Sequence, residues 1–351
     1  MHLPLDDTAF TYEERPVAIG QVVLAAVGWG EWARLRRALN VGRLAAERLE
    51  QRGEAVGEQE LRPRLIAWRR ERLLLAAEDY NAWLAARGLA LDDMSGYLRR
   101  AAASERLGGL ELDGNARDDD AAAADVAAEA VLSGQLRSWG ERLGRQAAAA
   151  RALGARGAEV TDAPGPDVAE ALVNEARADP TTRLNELPPE RVAAWAVEVL
   201  ALGRAWERLA AEVEDEELIE RCVRTHHLDW QRLAWEEATF AREDVALEAA
   251  LWVRDEGTAL SAIAERAGTP SSTGEAYGYD AGELMALLVG SRPGELVGPV
   301  ATEAGWRLLH LRERVMPSAE DPQLRERAIG ELLEDALAPH LAGRLEWHAV
   351  I

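Results

Sequence analysis

The sequence contains no lysine, and all 40 of its basic side chains are arginines. A lysine amine forms Schiff bases with carbonyl substrates, and a lysine contacts the phosphates in nucleotide-binding P-loops. The absence therefore excludes both kinds of site. Arginine offers planar, bidentate hydrogen-bond donors instead, although abundant alanine, glycine and arginine are also typical of a GC-rich coding sequence.

A single cysteine, Cys222, excludes an intrachain disulfide framework and most cysteine-ligated metal sites. His226 lies four residues later, so on a continuous helix the two side chains share a face. Such a pair is compatible with a thiolate–imidazole couple or two zinc ligands, or with a buried thiol near a helix end capped by His226 and His227. The other histidines are distant in sequence: His2, His310, His340 and His348. We therefore predict no metal and no cofactor.

Long apolar runs are also missing, and none approaches the ~18–20 residues that span a bilayer. The start, MHLPLDDTAF, lacks the basic and apolar segments of a signal peptide. These features predict a cytoplasmic protein without a membrane partner. The formal charge of −22 disfavours nucleic acid, because phosphates bind to basic patches. It favours cationic peptides as partners, although acidity also increases solubility.

Helical periodicity dominates the chain before residue 228. We predict helices over Tyr12 to Ala103, with apolar side chains recurring on one helix face from Leu61 to Ala86. Gly88 ends this pattern, as a glycine after the last helical turn does. A second helical group extends from Asp167 to about Arg224.

Two segments interrupt the helices. Residues 113–125 (DGNARDDDAAAAD) resemble a calcium loop only superficially, because the glycine and the final glutamate are at the wrong offsets. An acidic linker or helix start is the better interpretation. Residues 157–166, with two prolines, are the best candidate for a linker between domains. Between these segments, residues 121–152 predict an alanine-rich helix with interruptions around Gly134 and Gly140.

The pattern changes after Leu228. Residues 230–240 and 306–314 favour strands, and three helices are predicted at residues 244–254, 260–267 and 283–288. An amphipathic helix over 321–345 and a closing strand over 345–351 complete the chain. The predicted fold class is α+β, mostly α. We expect an N-terminal helical domain at 1–156, a second helical region at 157–228, a small sheet domain at 229–316 and a closing helix at 317–351.

Two motifs in the last third resemble the parvulin family. Arg292 to Val300 (RPGELVGPV) leads into Thr302 to Trp306 (TEAGW) and the second strand, as in the C-terminal part of a parvulin. The predicted helix pair Glu248 to Asp255 and Gly257 to Gly268, which contains WVRDEGTALSAIAERAG, is similar to the parvulin helix pair. The resemblance covers Trp230 to Val315, about a quarter of the chain. It implies a small sheet wrapped by helices.

The front of the chain extends the resemblance. A helical region before a parvulin domain, with a closing helix after it, is similar to the SurA class of chaperones. Glu60 to Leu98 resembles more closely the PpiC-related peptide maturation proteins found beside ribosomally made peptide natural products. This likeness implies a precursor or leader peptide as partner, and a peptide-modifying enzyme as a further one.

Parvulins lower the ~18–20 kcal/mol barrier to rotation about a peptide bond. The resemblance implies an apolar cleft lined by two histidines and a Cys or Asp. Arg307 occupies the place of the second histidine, and residues 231–240 contain none for the first. Leu284, Met285 and Leu288 fit the apolar platform. The cleft is thus expected without its imidazoles, and no phosphate loop, G-x-S-x-G elbow or H-E-x-x-H helix offers other catalysis.

Three of the twelve tryptophans, Trp230, Trp235 and Trp306, fall on or beside the predicted sheet. They are compatible with a peptide-binding wall, although core packing is the more common role of such residues. The predicted peptide-binding residues are Trp230, Trp235, Leu284, Met285, Leu288, Trp306 and Arg307.

Three functions stay open at this point. The first is a factor that binds a precursor peptide without catalysis and holds it for a modifying enzyme. The second is an active peptidyl-prolyl isomerase or foldase acting on prolines of that peptide. The third is a scaffold that joins two biosynthetic enzymes and has no affinity for the peptide.

Overall fold

The computed structural model describes residues 3–107, 122–156, 165–280, 282–288 and 290–348. Helix accounts for 63% and strand for 14%, so the predicted α+β, mostly helical class is confirmed. The chain divides into two compact units. The first unit consists of Met1–Leu209 together with Ala336–Ile351, and the second consists of Ala210–Asp335. The predicted domain boundaries after residues 156, 228 and 316 stay predictions. The two predicted linkers lie mostly outside the described residues, which omit residues 113–121 of the first and 157–164 of the second.

The secondary structure follows in chain order. The strands are β1 (Thr8–Tyr12), β2 (Arg15–Ala18), β3 (Arg232–Phe240), β4 (Ser271–Tyr277), β5 (Leu296–Thr302), β6 (Gly305–Val315) and β7 (Leu345–Trp347). The helices are α1 (Ile19–Gly28), α2 (Glu31–Gln51), α3 (Glu58–Glu71), α4 (Ala77–Ala86), α5 (Leu91–Arg106), α6 (Ala123–Leu132), α7 (Gln135–Ala155), α8 (Pro166–Ala178), α9 (Pro189–Val213), α10 (Glu216–Thr225), α11 (Glu243–Glu256), α12 (Leu260–Arg266), α13 (Glu283–Leu288) and α14 (Pro322–Leu341). Short 3-10 turns occur at Pro180–Thr182 and Leu184–Glu186.

The first unit packs helices around α1, which is buried along nearly its whole length. A helix that is apolar on all sides belongs in a core. A three-stranded antiparallel sheet, in the order β2-β1-β7, adds to this unit. The closing strand is confirmed at Leu345–Trp347. The prediction of helix from Tyr12 onward is wrong for β2, because residues 15–18 pair with β1.

Two other helix predictions need correction. The single helix expected over Leu61–Ala86 is broken between α3 and α4, where Leu73 has a φ of +57°. Gly134 interrupts the next helix as predicted, at a φ of +81°. Gly140 does not, since it lies inside α7. A Cβ there would lie 2.9 Å from the indole of Trp347, so this glycine allows close packing of β7.

The second unit contains a four-stranded antiparallel sheet in the order β4-β3-β6-β5. Side chains of a strand alternate between the two sheet faces. One face, with Phe240 and Leu308, packs against α11 and α12. The other contains Leu233, Trp235, Leu309 and Leu311, and we call it the Trp235 face. The predicted strands over 230–240 and 306–314 are confirmed, within a residue or two, as β3 and β6.

A separate apolar cluster joins α10 to α14 in this unit. Ile219 and Val223 of α10 pack with Leu324 and Ala328 of α14, and Trp230 completes the cluster. Among the described residues, none of the helices combines the length and the apolar character needed to cross a bilayer.

Candidate functional site

The Trp235 face brings two of the predicted peptide-binding residues together. Trp235 and Leu288 belong to one buried cluster with Leu309 and Leu311. Leu288 is the last residue of α13, a helix that also contains Leu284 and Met285. The side chains of Leu284 and Met285 lie outside the described part of the structure. The face is therefore a buried apolar layer formed by β3, β6 and α13.

The indole of Trp235 reaches across the sheet to β4. Trp235 is paired with Gly274 in the register of β3 and β4. A Cβ on Gly274 would lie 2.3 Å from Cζ2 of the indole, closer than real contacts allow. A glycine in a strand interior marks such a close approach. Gly274 thus lets a large ring lie directly against the outer strand.

Arg307 adds a charged group to the same face. It precedes Leu309 by two residues on β6, and it is paired with Thr239 of β3. Its Nε is buried and has no hydrogen-bond partner among the described residues. Glu237 lies on the same side of β3, where its Oε1 accepts a 3.0 Å hydrogen bond from the Ser272 hydroxyl. The polar end of the face therefore presents one guanidinium and one carboxylate.

The other two predicted tryptophans do not lie on this face. Trp306 is partly buried on the opposite side of the sheet, against the cluster of α11 and α12. Trp230 precedes β3 and is 1% exposed in the cluster between α10 and α14. Neither indole is placed to form a wall with Trp235. Sequence spacing could not place Trp230, because it lies outside the strand where side-chain alternation operates.

No imidazole occurs on the Trp235 face within the described residues. Of the six histidines, His310 is the one located in a strand of this sheet, and it is paired with Glu236. That pairing puts it on the opposite face, where its Nε2 lies 3.2 Å from the carbonyl oxygen of Gly294. The described part of this face therefore lacks the two-histidine arrangement that the parvulin resemblance implies.

The strand β4 forms one edge of the sheet, and β3 is its neighbour in the sheet. Its residues Ser271, Ser272, Thr273 and Glu275 are exposed. The N–H of Gly278 donates to the carbonyl of Gln231 at 2.8 Å, which makes these two a hydrogen-bonded pair. Because such pairs alternate in antiparallel strands, the backbone groups of Thr273 and Glu275 point away from β3. Sequence reasoning missed β4, since its polar residues (SSTGEAY) show no apolar alternation.

A second constellation joins α10 and α14. The cluster contains one donor atom from each of Cys222, His226 and Glu331, and these three atoms lie within 4.8 Å of one another. All three side chains are half-buried. Nε2 of His226 lies 2.9 Å from Oε2 of Glu331. Burial, together with the charges of Glu331 and Asp335, raises the pKa of the Cys222 thiol. A thiol with a raised pKa is a poor nucleophile at neutral pH.

Neither a scan against models of known protein families nor a search of curated proteins finds a match to this chain. The parvulin, SurA-class and PpiC resemblance stays a prediction that depends on the motifs quoted above.

Proposed function

We propose that this protein is a peptide-binding maturation factor that holds a ribosomally made precursor peptide for a modifying enzyme. The observation that carries the proposal is the exposed edge of β4, whose Thr273 and Glu275 backbone groups point outward. An extended peptide can add a strand to such an edge, and main-chain hydrogen bonds then supply affinity. A leader segment of about five to seven residues would match the length of β4.

Charge supports a cationic peptide as the ligand. Residues 210–335, the second unit, contain 27 acidic side chains and 12 arginines, a formal charge of −15. Most of the chain's −22 therefore belongs to the unit that contains β4. A field of this sign attracts arginine- or lysine-bearing peptides and accelerates their association at low salt.

The Trp235 face supports binding rather than isomerisation. Arg307 replaces the histidine that the parvulin resemblance implies, and a guanidinium offers N–H donors to the oxygens of a peptide. An arginine stays protonated in proteins, so it cannot exchange a proton or hydrogen-bond as an acceptor. Since the described residues place no imidazole on this face, rotation about an X–Pro bond has no pair of histidines there to assist it.

Calorimetry of the full chain against the precursor peptide encoded beside its gene tests the proposal. We expect saturable binding that weakens as salt is added, because screening reduces surface electrostatics. A charge-reversed peptide, with each arginine or lysine replaced by glutamate, is the matched control and should not bind. No heat and no salt-dependent binding with the natural peptide would favour the scaffold hypothesis and contradict ours.

A further inference from the structure

The junction of α10 and α14 contains three side chains of the types that bind transition metals. Cys222 and His226 are separated by four residues at the C-terminal end of α10, so their side chains share a face. Glu331 comes from α14, more than 100 residues later in the chain. Two helices thus contribute sulfur, nitrogen and oxygen donors to one place.

The distances are close to those of a bound ion. The three donor atoms lie within 4.8 Å of one another. Zinc bonds of about 2.0–2.3 Å give separations between ligand atoms of about 3.5 Å in a tetrahedral site. No pair of donor atoms therefore needs to close by more than about 1.3 Å on binding. Because all three side chains are half-buried, an ion can reach them from solvent.

The neighbouring residues hold two of these ligands in place. The ring of His226 stacks on the indole of Trp230, with 4.7 Å between centroids and 14° between planes. While Oε2 of Glu331 faces His226, Oε1 lies 3.7 Å from Nε of Arg327. Outer contacts of this kind orient metal ligands and raise affinity. The carboxylate of Asp335 adds negative charge beside Cys222.

We propose that Cys222, His226 and Glu331 bind one Zn²⁺-type ion that joins α10 to α14. Thiolate and imidazole donors select zinc over Mg²⁺ and Ca²⁺, which prefer oxygen alone. Three protein ligands leave the fourth position of a tetrahedral ion for water or for a donor atom of a bound molecule. The proposal is independent of peptide binding, because none of these residues belongs to β4 or to the Trp235 face.

Titration of the untagged full-length chain with Co²⁺, followed by displacement with Zn²⁺, tests the site. We expect one Co²⁺ per chain and a thiolate-to-cobalt absorption band that Zn²⁺ removes. Cys222→Ser should abolish the band, and both His226→Gln and Glu331→Gln should weaken binding at least tenfold. His227→Gln is the control, since His227 faces the carbonyl of Arg224 at 3.1 Å and lies outside the cluster.

Two results would overturn the site. One is the absence of a thiolate band at saturating Co²⁺, and the other is wild-type affinity in both His226→Gln and Glu331→Gln. If His226→Gln does not fold, Glu331→Gln decides alone, because its carboxamide keeps the shape of the half-exposed side chain.

Discussion

The hydroxyl of Tyr277 donates a 2.7 Å hydrogen bond to Oδ2 of Asp321. Tyr277 is the last residue of β4, and Asp321 immediately precedes α14. Oδ1 of Asp321 accepts from the backbone N–H groups of Gln323 and Leu324, at 2.9 and 3.4 Å. One carboxylate therefore caps the helix and also fixes the end of the edge strand.

Removing the Tyr277 hydroxyl should destabilise the second unit. Tyr277→Phe leaves Oδ2 of Asp321 without this donor, and we expect a loss of about 1–2 kcal/mol in the free energy of unfolding. Tyr279→Phe is the control, because its hydroxyl accepts a longer, exposed 3.3 Å bond from Gln323. Urea unfolding measures the free energy of unfolding of both variants. Equal losses would show that the Tyr277 hydrogen bond contributes no more stability than the exposed Tyr279 bond.

The cap should also give a pH-dependent contribution to stability. Burial alone would raise the pKa of Asp321, but the hydrogen bonds from Tyr277, Gln323 and Leu324 outweigh it, so the pKa is lowered. A carboxyl with a lowered folded-state pKa stabilises the fold above its unfolded pKa of about 3.9 and ceases to do so as pH falls through the folded value. The stability gap between wild type and Asp321→Asn should therefore be largest near neutral pH and close on acidification. Urea midpoints over a pH series measure it, and a gap that widens in acid would contradict the prediction.

A side chain on Gly274 should disturb the Trp235 face. The added methyl of Gly274→Ala would lie 2.3 Å from the indole, and we expect a loss of about 1–3 kcal/mol as the ring moves. Gly330→Ala is the matched control within α14, where a Cβ meets nothing within 4 Å. It should stabilise the helix by about 0.5–1 kcal/mol. Thermal unfolding distinguishes the expected loss of stability in Gly274→Ala from the expected gain in Gly330→Ala. Unchanged stability in Gly274→Ala would mean that the indole does not need this glycine.

Isomerase activity should be absent. In a chromogenic Xaa-Pro peptide assay, the cis-to-trans rate with the chain should equal the uncatalysed rate, since the Trp235 face has no imidazole among its described residues. Arg307→Gln should leave that rate unchanged. A rate that rises in proportion to the amount of chain, and falls in Arg307→Gln, would establish the alternative function.

Periodicity in the sequence predicted the helices and the two central strands well. The faces of α9 and the core of β3 and β6 repeat apolar residues at the intervals that burial requires. It missed β1, β2, β4 and β5, of which β2, β4 and β5 are edge strands. Such strands form by pairing with a neighbouring strand and show no apolar alternation of their own, and β4 is mostly exposed.

The candidate site was predicted in part. Trp235, Leu288 and Arg307 were named from sequence and share one face of the sheet. Trp230 and Trp306 were named beside them but pack elsewhere. Trp230 lies before β3, and Trp306 is an odd number of residues from Leu309, so its side chain lies on the opposite face of the sheet. Glu331 was not predicted as a neighbour of Cys222 and His226, since the packing of α14 on α10 brings together residues distant in sequence.

A peptide that adds a strand to β4 bonds to the outward backbone groups of that strand. The affinity of the precursor peptide for Thr273→Pro, compared with its affinity for Thr273→Ala, tests this pairing. Proline removes the outward N–H of Thr273 without touching a bond to β3, whereas alanine keeps it. We predict at least a tenfold loss of affinity in Thr273→Pro and wild-type affinity in Thr273→Ala. Equal affinity in both variants would show that the peptide does not pair with β4.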